Sequence, residues 1–201
     1  MKIIFARHGE SQANLLNEFS NRGLKHGLTE RGRIQAAALA QRLGKLSVSR
    51  VFSSPLLRTV QTAEILADEF DIAYEITDAL REYDCGVLEG RSDPASWAEY
   101  ERVSEEWLIH QCWESRIEGG ESFVEIRDRF VPFIKHLVGT HGDSPGGVIL
   151  VGHGGLYRCM LPLVLVNIDF GFAMQHPLGH TGYVKADTRG DRLVCVKWRV
   201  A

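Results

Sequence analysis

Two histidines in this sequence sit beside glycines at the ends of segments that read as strands, in Arg7-His8-Gly9 and Gly152-His153-Gly154. In open α/β sheets ligands bind beyond the carboxyl ends of the strands, so two such imidazoles can converge on one site. Glycine next to each lets backbone N–H groups approach a ligand closely, while Arg7 and Arg58 supply planar donors suited to phosphate oxygens. The combination suits a pocket for a tetrahedral dianion. Taken singly, each residue is ordinary: a lone His or Arg is more often a hydrogen-bonded core or surface residue. Glu82 has Glu75, Asp78, Asp84 and Glu89 for neighbours, and an exposed, solvated carboxylate is the common state.

The elements that must position these groups follow from pattern. Lys2 to Ala6 is short, apolar and β-prone and runs directly into Arg7-His8-Gly9-Glu10-Ser11, a strand ending on a reactive loop. Thr29 can cap a helix over Gly32 to Leu46, with Ile34, Ala37, Ala38 and Leu43 on its apolar face and Arg31, Arg33 and Arg42 outside. Arg50 to Ser53 reads as a second strand, and Ser54-Pro55 as the opening of a helix through Phe70 that holds Arg58 in its first turn. Ala73 to Ile76 gives a third strand, followed by a loop carrying Arg81-Glu82-Tyr83-Asp84 and closing on Gly86 and Gly90.

Asp93 to Glu118 is rich in Trp and Glu and reads as a helical lid insertion, about 91–118, built of one or two amphipathic helices. A long helix follows Gly119-Gly120-Glu121-Ser122, with Ile126, Phe130, Ile134, Leu137 and Val138 on one face and a kink expected at Pro132. Gly147 to Val151 is a buried strand leading to His153, and a buried helix runs from Leu156 to about Leu161 or beyond. Tyr183 to Lys185 and Leu193 to Trp198, joined by Arg189-Gly190-Asp191, form a terminal hairpin. Strands alternating with helices, then a hairpin, predict one domain over 1–201, a three-layer α/β/α sandwich on a mostly parallel central sheet.

Composition narrows the class. The 201 residues are 44% hydrophobic and 24% charged, as in ordinary globular proteins, with a formal net charge of −3. The scattered charges leave no basic stripe to displace counterions from a nucleic acid, so none is expected as a partner. No apolar run approaches a membrane span, and the N-terminus reaches Arg7 too soon for a secretory signal; a cytoplasmic location is the resulting expectation. Cys85, Cys112, Cys159 and Cys195 form no C-x-x-C pair and read as free thiols rather than metal ligands.

The residues together resemble the histidine phosphatase superfamily, which holds the cofactor-dependent phosphoglycerate mutases and many broad phosphatases. Six ordered blocks carry the resemblance: Arg7 to Ser11 with Asn14; Leu28 to Gly32; Ser53 to Ala63; Arg81-Glu82 with Gly86 and Glu89-Gly90; Gly119 to Ser122; and Val151 to Gly155. It implies that His8 attacks phosphorus to form a phosphohistidine, with one ring nitrogen unprotonated and the other held by a hydrogen bond. Arg7, Arg58 and His153 would clamp the equatorial oxygens, with no cofactor and no metal. Glu82 would protonate the leaving alkoxide and then activate water. Asn14, Ser20 and Gly154 would help line the phosphate pocket, and His176 and His180 would be structural or part of its wall.

The mutases of this family carry a basic block after the acid glutamate, and this chain does not. Between Tyr83 and Gly120 stand nine acidic residues against three arginines, a net charge of −6, which would repel polyanions if it faced the pocket. Hydrolysis of a small, singly phosphorylated metabolite is therefore favoured over mutase transfer. Trp97, Tyr100, Trp107 and Trp113 would then form either an apolar specificity wall or ordinary lid packing. A non-catalytic phospho-ligand binding module is the alternative from another class. The natural substrate and the oligomeric state, a homodimer included, are not legible at this level.

Overall fold

The computed structural model describes residues 1–141 and 146–200. Its centre is a six-stranded sheet in the order β3-β2-β4-β1-β5-β6. β1 (Lys2–Arg7), β2 (Val48–Ser53), β3 (Tyr74–Ile76) and β4 (Gly147–Gly152) run parallel, and the hairpin of β5 (Tyr183–Arg189) and β6 (Arg192–Arg199) continues the sheet antiparallel from β1. β1 and β4 are buried on both faces, which is why they read as continuous apolar runs. Alternate side chains divide between two cores: Ile3, Phe5, Val148 and Leu150 enter one, Ile4, Ala6, Ile149 and Val151 the other. That alternation makes three layers.

Over the second core lie α2 (Glu30–Leu43) and α3 (Leu57–Phe70); over the first lie α4 (Pro94–Leu108), α5 (Phe123–His141) and α6 (Gly154–Val164). The short helices α1 (Gln12–Leu16) and α7 (Phe170–Gln175) complete the set among the described residues. None of the described helices is long and apolar enough to cross a membrane.

Register sets the site. Arg7 pairs with Gly152 at the last position of the β1–β4 ladder, so His8 and His153 leave the sheet at one level. The His8 N–H still donates to the Gly152 carbonyl at 3.1 Å. α2 then packs on the loop after β1. The Thr29 side chain caps it by accepting from Gly32 N at 2.9 Å, and Thr29 N donates to Glu10 O at 3.0 Å. A Cβ on Gly32 would lie 1.9 Å from Glu10 O, and one on Gly9 would lie 2.4 Å from Gly32 O. Two glycines are therefore what lets helix and loop touch.

This contact also corrects the expected face of α2. The helix spans Glu30–Leu43 and buries Gly32, Ala36, Leu39, Ala40 and Leu43, while Ile34 is 62% exposed and Ala37 and Ala38 are exposed too. Gly32 must meet Glu10, and that fixes the rotation of the helix. Pro55 precedes α3 rather than entering its first turn: Leu56 is the extended N-cap, and Thr59 Oγ1 holds the turn by donating to Leu56 O at 2.6 Å and Ser54 O at 3.0 Å. α5 continues unbroken past Pro132, which lies on its exposed side. α6 starts at Gly154, two residues before the expected Leu156, and runs on to Val164.

The loop that carries Glu82 is braced from α5. Arg129 donates to Glu121 through Nε at 2.8 Å and Nη2 at 3.0 Å, and to the carbonyls of Asp78 at 3.2 Å and Ala79 at 3.1 Å. Glu121 accepts from Asp84 N at 2.9 Å. Both sides of Glu82 are thereby tied to one ion pair. Gly86, at φ +55°, crosses the 117–120 segment where a Cβ would lie 1.9 Å from Glu118 O.

Gly32→Ala should lower stability by about 1–3 kcal/mol, because backbone must move to admit the methyl group. Gly139→Ala, in α5 with nothing within 4 Å of the added Cβ, should raise it by about 0.4–1 kcal/mol. Urea unfolding of the two variants beside the parent checks both signs.

Candidate active site

A cavity of about 270 Å³ opens at the carboxyl ends of β1 and β4, with Arg7, His8, Asn14, Ser20, Arg58, Glu82 and Gly154 in its wall. His153 is not part of that wall but lies next to His8, their ring centroids 5.2 Å apart at 63°. The expected residues of the first strand loop, α3, the acid loop and α6 thus share one place.

His8 is 3% exposed. Its Nδ1 is 2.6 Å from the Gly9 carbonyl. A carbonyl can only accept, so the proton sits on Nδ1 and the lone pair on Nε2. Nε2 faces α3, where Arg58 Nε donates to it at 3.2 Å. Burial, then Arg58, then Arg7 hold the His8 pKa well below 6.5, so the ring is a neutral base at physiological pH.

Arg58 is itself held by the chain: Nη1 donates to Ser20 O at 2.7 Å and Nη2 to Asn21 Oδ1 at 3.3 Å. Burial lowers its pKa to about 10, which still leaves it charged. Thr62, one turn along α3, accepts from Gly9 N at 3.3 Å and donates to Arg58 O at 2.8 Å. Arg7 donates through Nη1 to Leu178 O at 2.6 Å, and its Nε has no partner. Two guanidinium groups, Arg58 buried and Arg7 partly buried, beside a neutral imidazole make a strong oxyanion receptor.

His153 is 1% exposed. Its Nε2 lies 2.8 Å from Ser54 Oγ. That hydroxyl also accepts from Leu56 N at 3.4 Å. Nδ1 is buried without a partner, a polar atom left unsatisfied beside His8. Burial, with Arg58, His8 and Arg7, lowers its pKa well below 6.5.

Glu82 is partly buried, and the desolvation of its carboxyl raises its pKa above 4.5. Arg58 and the N–H groups of Gly155, Tyr83 and Leu156 oppose the shift. Gly155 N donates to Oε2 at 2.9 Å and Tyr83 N to Oε1 at 3.2 Å. A Cβ on Gly155 would lie 2.8 Å from Oε2, so glycine there makes room for the carboxyl. A carboxyl with a raised pKa in a cavity holding a neutral imidazole is suited to proton transfer.

Other expected residues take narrower places. Asn14 Oδ1 accepts from Ser11 N at 3.0 Å and Ser11 Oγ at 2.8 Å, closing the cap of α1. Ser20 Oγ pairs with His26 Nδ1 at 2.9 Å, so Ser20 reaches Arg58 through its carbonyl. His180 lies 6.1 Å from the His8 ring, and burial and Arg7 lower its pKa to about 4. His176 stacks on Phe172 at 4.2 Å and lines no part of the cavity.

The acidic insertion does not face the cavity. It is one helix, α4, followed by irregular chain, and only Trp97 and Tyr100 from it reach the cavity wall. Phe19 stacks on Trp97 at 4.2 Å and contacts Tyr100 at 5.3 Å, which turns the aromatic face inward. Glu99 and Glu106 pair with Arg102 on the outer side. Trp107 is buried in the core, and Trp113 packs on Phe123 and Phe170. Sequence reasoning missed Asn21, Phe19 and Arg158, all in the wall. The signal for Arg158 was a lone cation in the apolar run Leu156 to Leu161.

Over 166 residues the chain is 33% identical to the probable phosphoglycerate mutase GpmB of Salmonella choleraesuis (strain SC-B67), covering 82% of this chain and 75% of that one. A mycobacterial glucosyl-3-phosphoglycerate phosphatase superposes with a TM-score of 0.80 at 25% identity, covering 100% and 99% of the two chains. A putative alpha-ribazole-5'-P phosphatase from Escherichia coli K-12 superposes at 0.79 with 22% identity over 99% and 96%, a likeness of fold. The family model for the histidine phosphatase superfamily (branch 1) matches residues 3–201, and the chain belongs to that superfamily.

Proposed function

We propose that this chain is a metal-independent phosphomonoesterase acting on a small phosphorylated metabolite through a phosphohistidine at His8. The observation that carries the proposal is the fixed tautomer of His8: Nδ1 bound to the Gly9 carbonyl at 2.6 Å, with Nε2 presented to a cavity lined by Arg7 and Arg58. Superfamily membership and the 25% identical mycobacterial phosphatase support the reaction class.

In the first half-reaction the phosphoryl group enters between His8 and Arg58, and the Arg58 Nε–H passes from His8 Nε2 to a phosphoryl oxygen. Nε2 bonds to phosphorus as the P–O bond to the alcohol breaks, and protonated Glu82 gives its proton to the leaving oxygen. Arg7, Arg58 and His153 hold the three equatorial oxygens, supplying the charge that a divalent ion supplies in other phosphoryl-transfer sites. In the second half-reaction the Glu82 carboxylate takes a proton from water, which attacks phosphorus and frees His8 and inorganic phosphate.

Mutase transfer is the second reading, favoured by the name of the 33% identical relative. It requires the phosphoenzyme to persist until a second acceptor arrives. The lid gives the cavity Trp97 and Tyr100 and no cation, so hydrolysis remains the reading adopted here. The acidic lid residues lie outside the cavity wall and give no ground for exclusion of polyanions.

Hydrolysis of an aryl phosphate should be unchanged by a chelator and should fall by at least about 10³-fold in His8→Ala. Activity that needs added metal, or that survives the loss of His8, would sink the mechanism. Glu82→Gln should cost alkyl phosphates about 10²–10⁴-fold and dinitrophenyl phosphate far less, since a good leaving group needs no proton. The pH profile follows from the directions of the shifts. Activity on alkyl phosphates should persist below pH 6.5, because His8 stays neutral there. It should fall on the alkaline side as Glu82 loses its proton, above pH 4.5. In Glu82→Gln that alkaline limb should vanish.

A further inference from the structure

Asn21 is buried in the cavity wall, and its side chain reaches both the phosphate clamp and the acid loop. Oδ1 accepts from Arg58 Nη2 at 3.3 Å, while Nδ2 donates to Tyr83 O at 2.9 Å and to Cys85 Sγ at 3.3 Å. Tyr83 N in turn donates to Glu82 Oε1 at 3.2 Å. The backbone of Tyr83 therefore stands between Asn21 and the carboxyl. A guanidinium only donates and a carbonyl only accepts, so the residue joining them must carry an acceptor and a donor side by side. A carboxamide does, and these two partners leave it one orientation.

The rest of the 19–22 segment lies along the acid loop through bonds that do not use this side chain. Phe19 N donates to Arg91 O at 2.9 Å and Gly90 N to Phe19 O at 2.8 Å. Asn21 N and Arg22 N donate to the two oxygens of Glu89 at 2.9 and 3.2 Å. Ser20 O holds Arg58 Nη1 at 2.7 Å, so consecutive residues take the two ends of the guanidinium. The loops stay joined when the carboxamide is removed. What is lost is the side-chain tie between Arg58 and the peptide that carries Glu82. The Glu121–Arg129 pair braces the acid loop from α5; Asn21 braces it from the cavity.

We infer that Asn21 is a positioning residue that ties the Arg58 guanidinium to the Glu82 loop, so that phosphate clamp and acid keep one fixed relation. The inference rests on the phosphatase reading for the roles of Arg58 and Glu82, and on the contacts above for the tie. It acts at both ends of the scissile bond, through Arg58 Nη2 on one side and the Tyr83 peptide on the other.

Two readouts separate the two ends. The inhibition constant of inorganic phosphate reads the clamp. The ratio of kcat/KM for an alkyl phosphate to that for dinitrophenyl phosphate reads the acid, since only the poorer leaving group needs a proton. Asn21→Leu keeps the approximate shape and removes the side-chain hydrogen bonds; it should weaken phosphate about threefold or more and lower the ratio about tenfold or more. Asn21→Ala adds no bulk and should move both readouts in the same directions, which keeps the test open if the leucine variant folds poorly. In a Glu82→Gln background, Asn21→Leu should leave the ratio where Glu82→Gln puts it, because the acid it positions is gone, while phosphate still weakens. A ratio at the parent value in both Asn21 variants overturns the tie to the acid, and unchanged phosphate inhibition overturns the tie to the clamp; either result ends the inference. A further fall of the ratio on top of Glu82→Gln also overturns it, since general damage would then account for the loss. If Glu82→Gln alone leaves the ratio at the parent value, the acid assignment of the phosphatase reading fails, and the coupling falls with it.

Discussion

The hydrogen bond between His8 Nδ1 and the Gly9 carbonyl organises the whole end of the sheet. It exists because Gly9 can press its backbone against Gly32 at the start of α2, where any Cβ on either residue would collide with a carbonyl oxygen. The Thr29 cap, the Glu10–Thr29 backbone bond and the Thr62 contact then hold the loop so that the imidazole has one orientation and one tautomer. An imidazole free to flip would offer either nitrogen to a ligand. This one offers Nε2, and burial beside two guanidinium groups keeps it unprotonated.

The same logic of close backbone approach places the carboxyl. Glu82 lies against α6 because Gly155 has no side chain, and its loop is tied on both flanks to the Glu121–Arg129 pair of the 119–122 turn and α5. Helices on one face thus hold the imidazole and helices on the other hold the acid. The sheet fixes the distance between them through the β1–β4 register. Opposite pKa shifts follow from one cause: burial disfavours charge on both groups, which leaves His8 basic and unprotonated while Glu82 keeps its proton to higher pH.

Much of this was legible in the residues, for local reasons. Continuous apolar runs ending on Arg7-His8-Gly9 and Gly152-His153-Gly154 mark doubly buried strands, and the Arg189-Gly190-Asp191 turn marks the hairpin. The rotation of α2 was not legible, because an Ala-rich helix has several weakly apolar faces and the deciding contact, Gly32 with Glu10, lies outside it. Ile34 is exposed for that reason. The lid was misread when its net charge was taken as the property of a face. The Phe19, Trp97 and Tyr100 stack sets which side turns inward, and the acids are left outside. Arg158 was hidden because a single cation in an apolar helix has no pattern of its own until the cavity is seen around it.

The central claim is that His8 is a buried neutral base with its proton on Nδ1 and its nucleophilic lone pair on Nε2. Nitrogen NMR of histidine-labelled protein reads this directly, through the tautomer and titration of His8 and the site of phosphorus attachment after reaction with a phosphoryl donor. The expected spectrum has Nδ1 protonated at pH 7, a titration midpoint well below 6.5, and phosphorus bonded to Nε2. A proton on Nε2 at pH 7, an ordinary midpoint near 6.5, or phosphorus on Nδ1 would contradict the account.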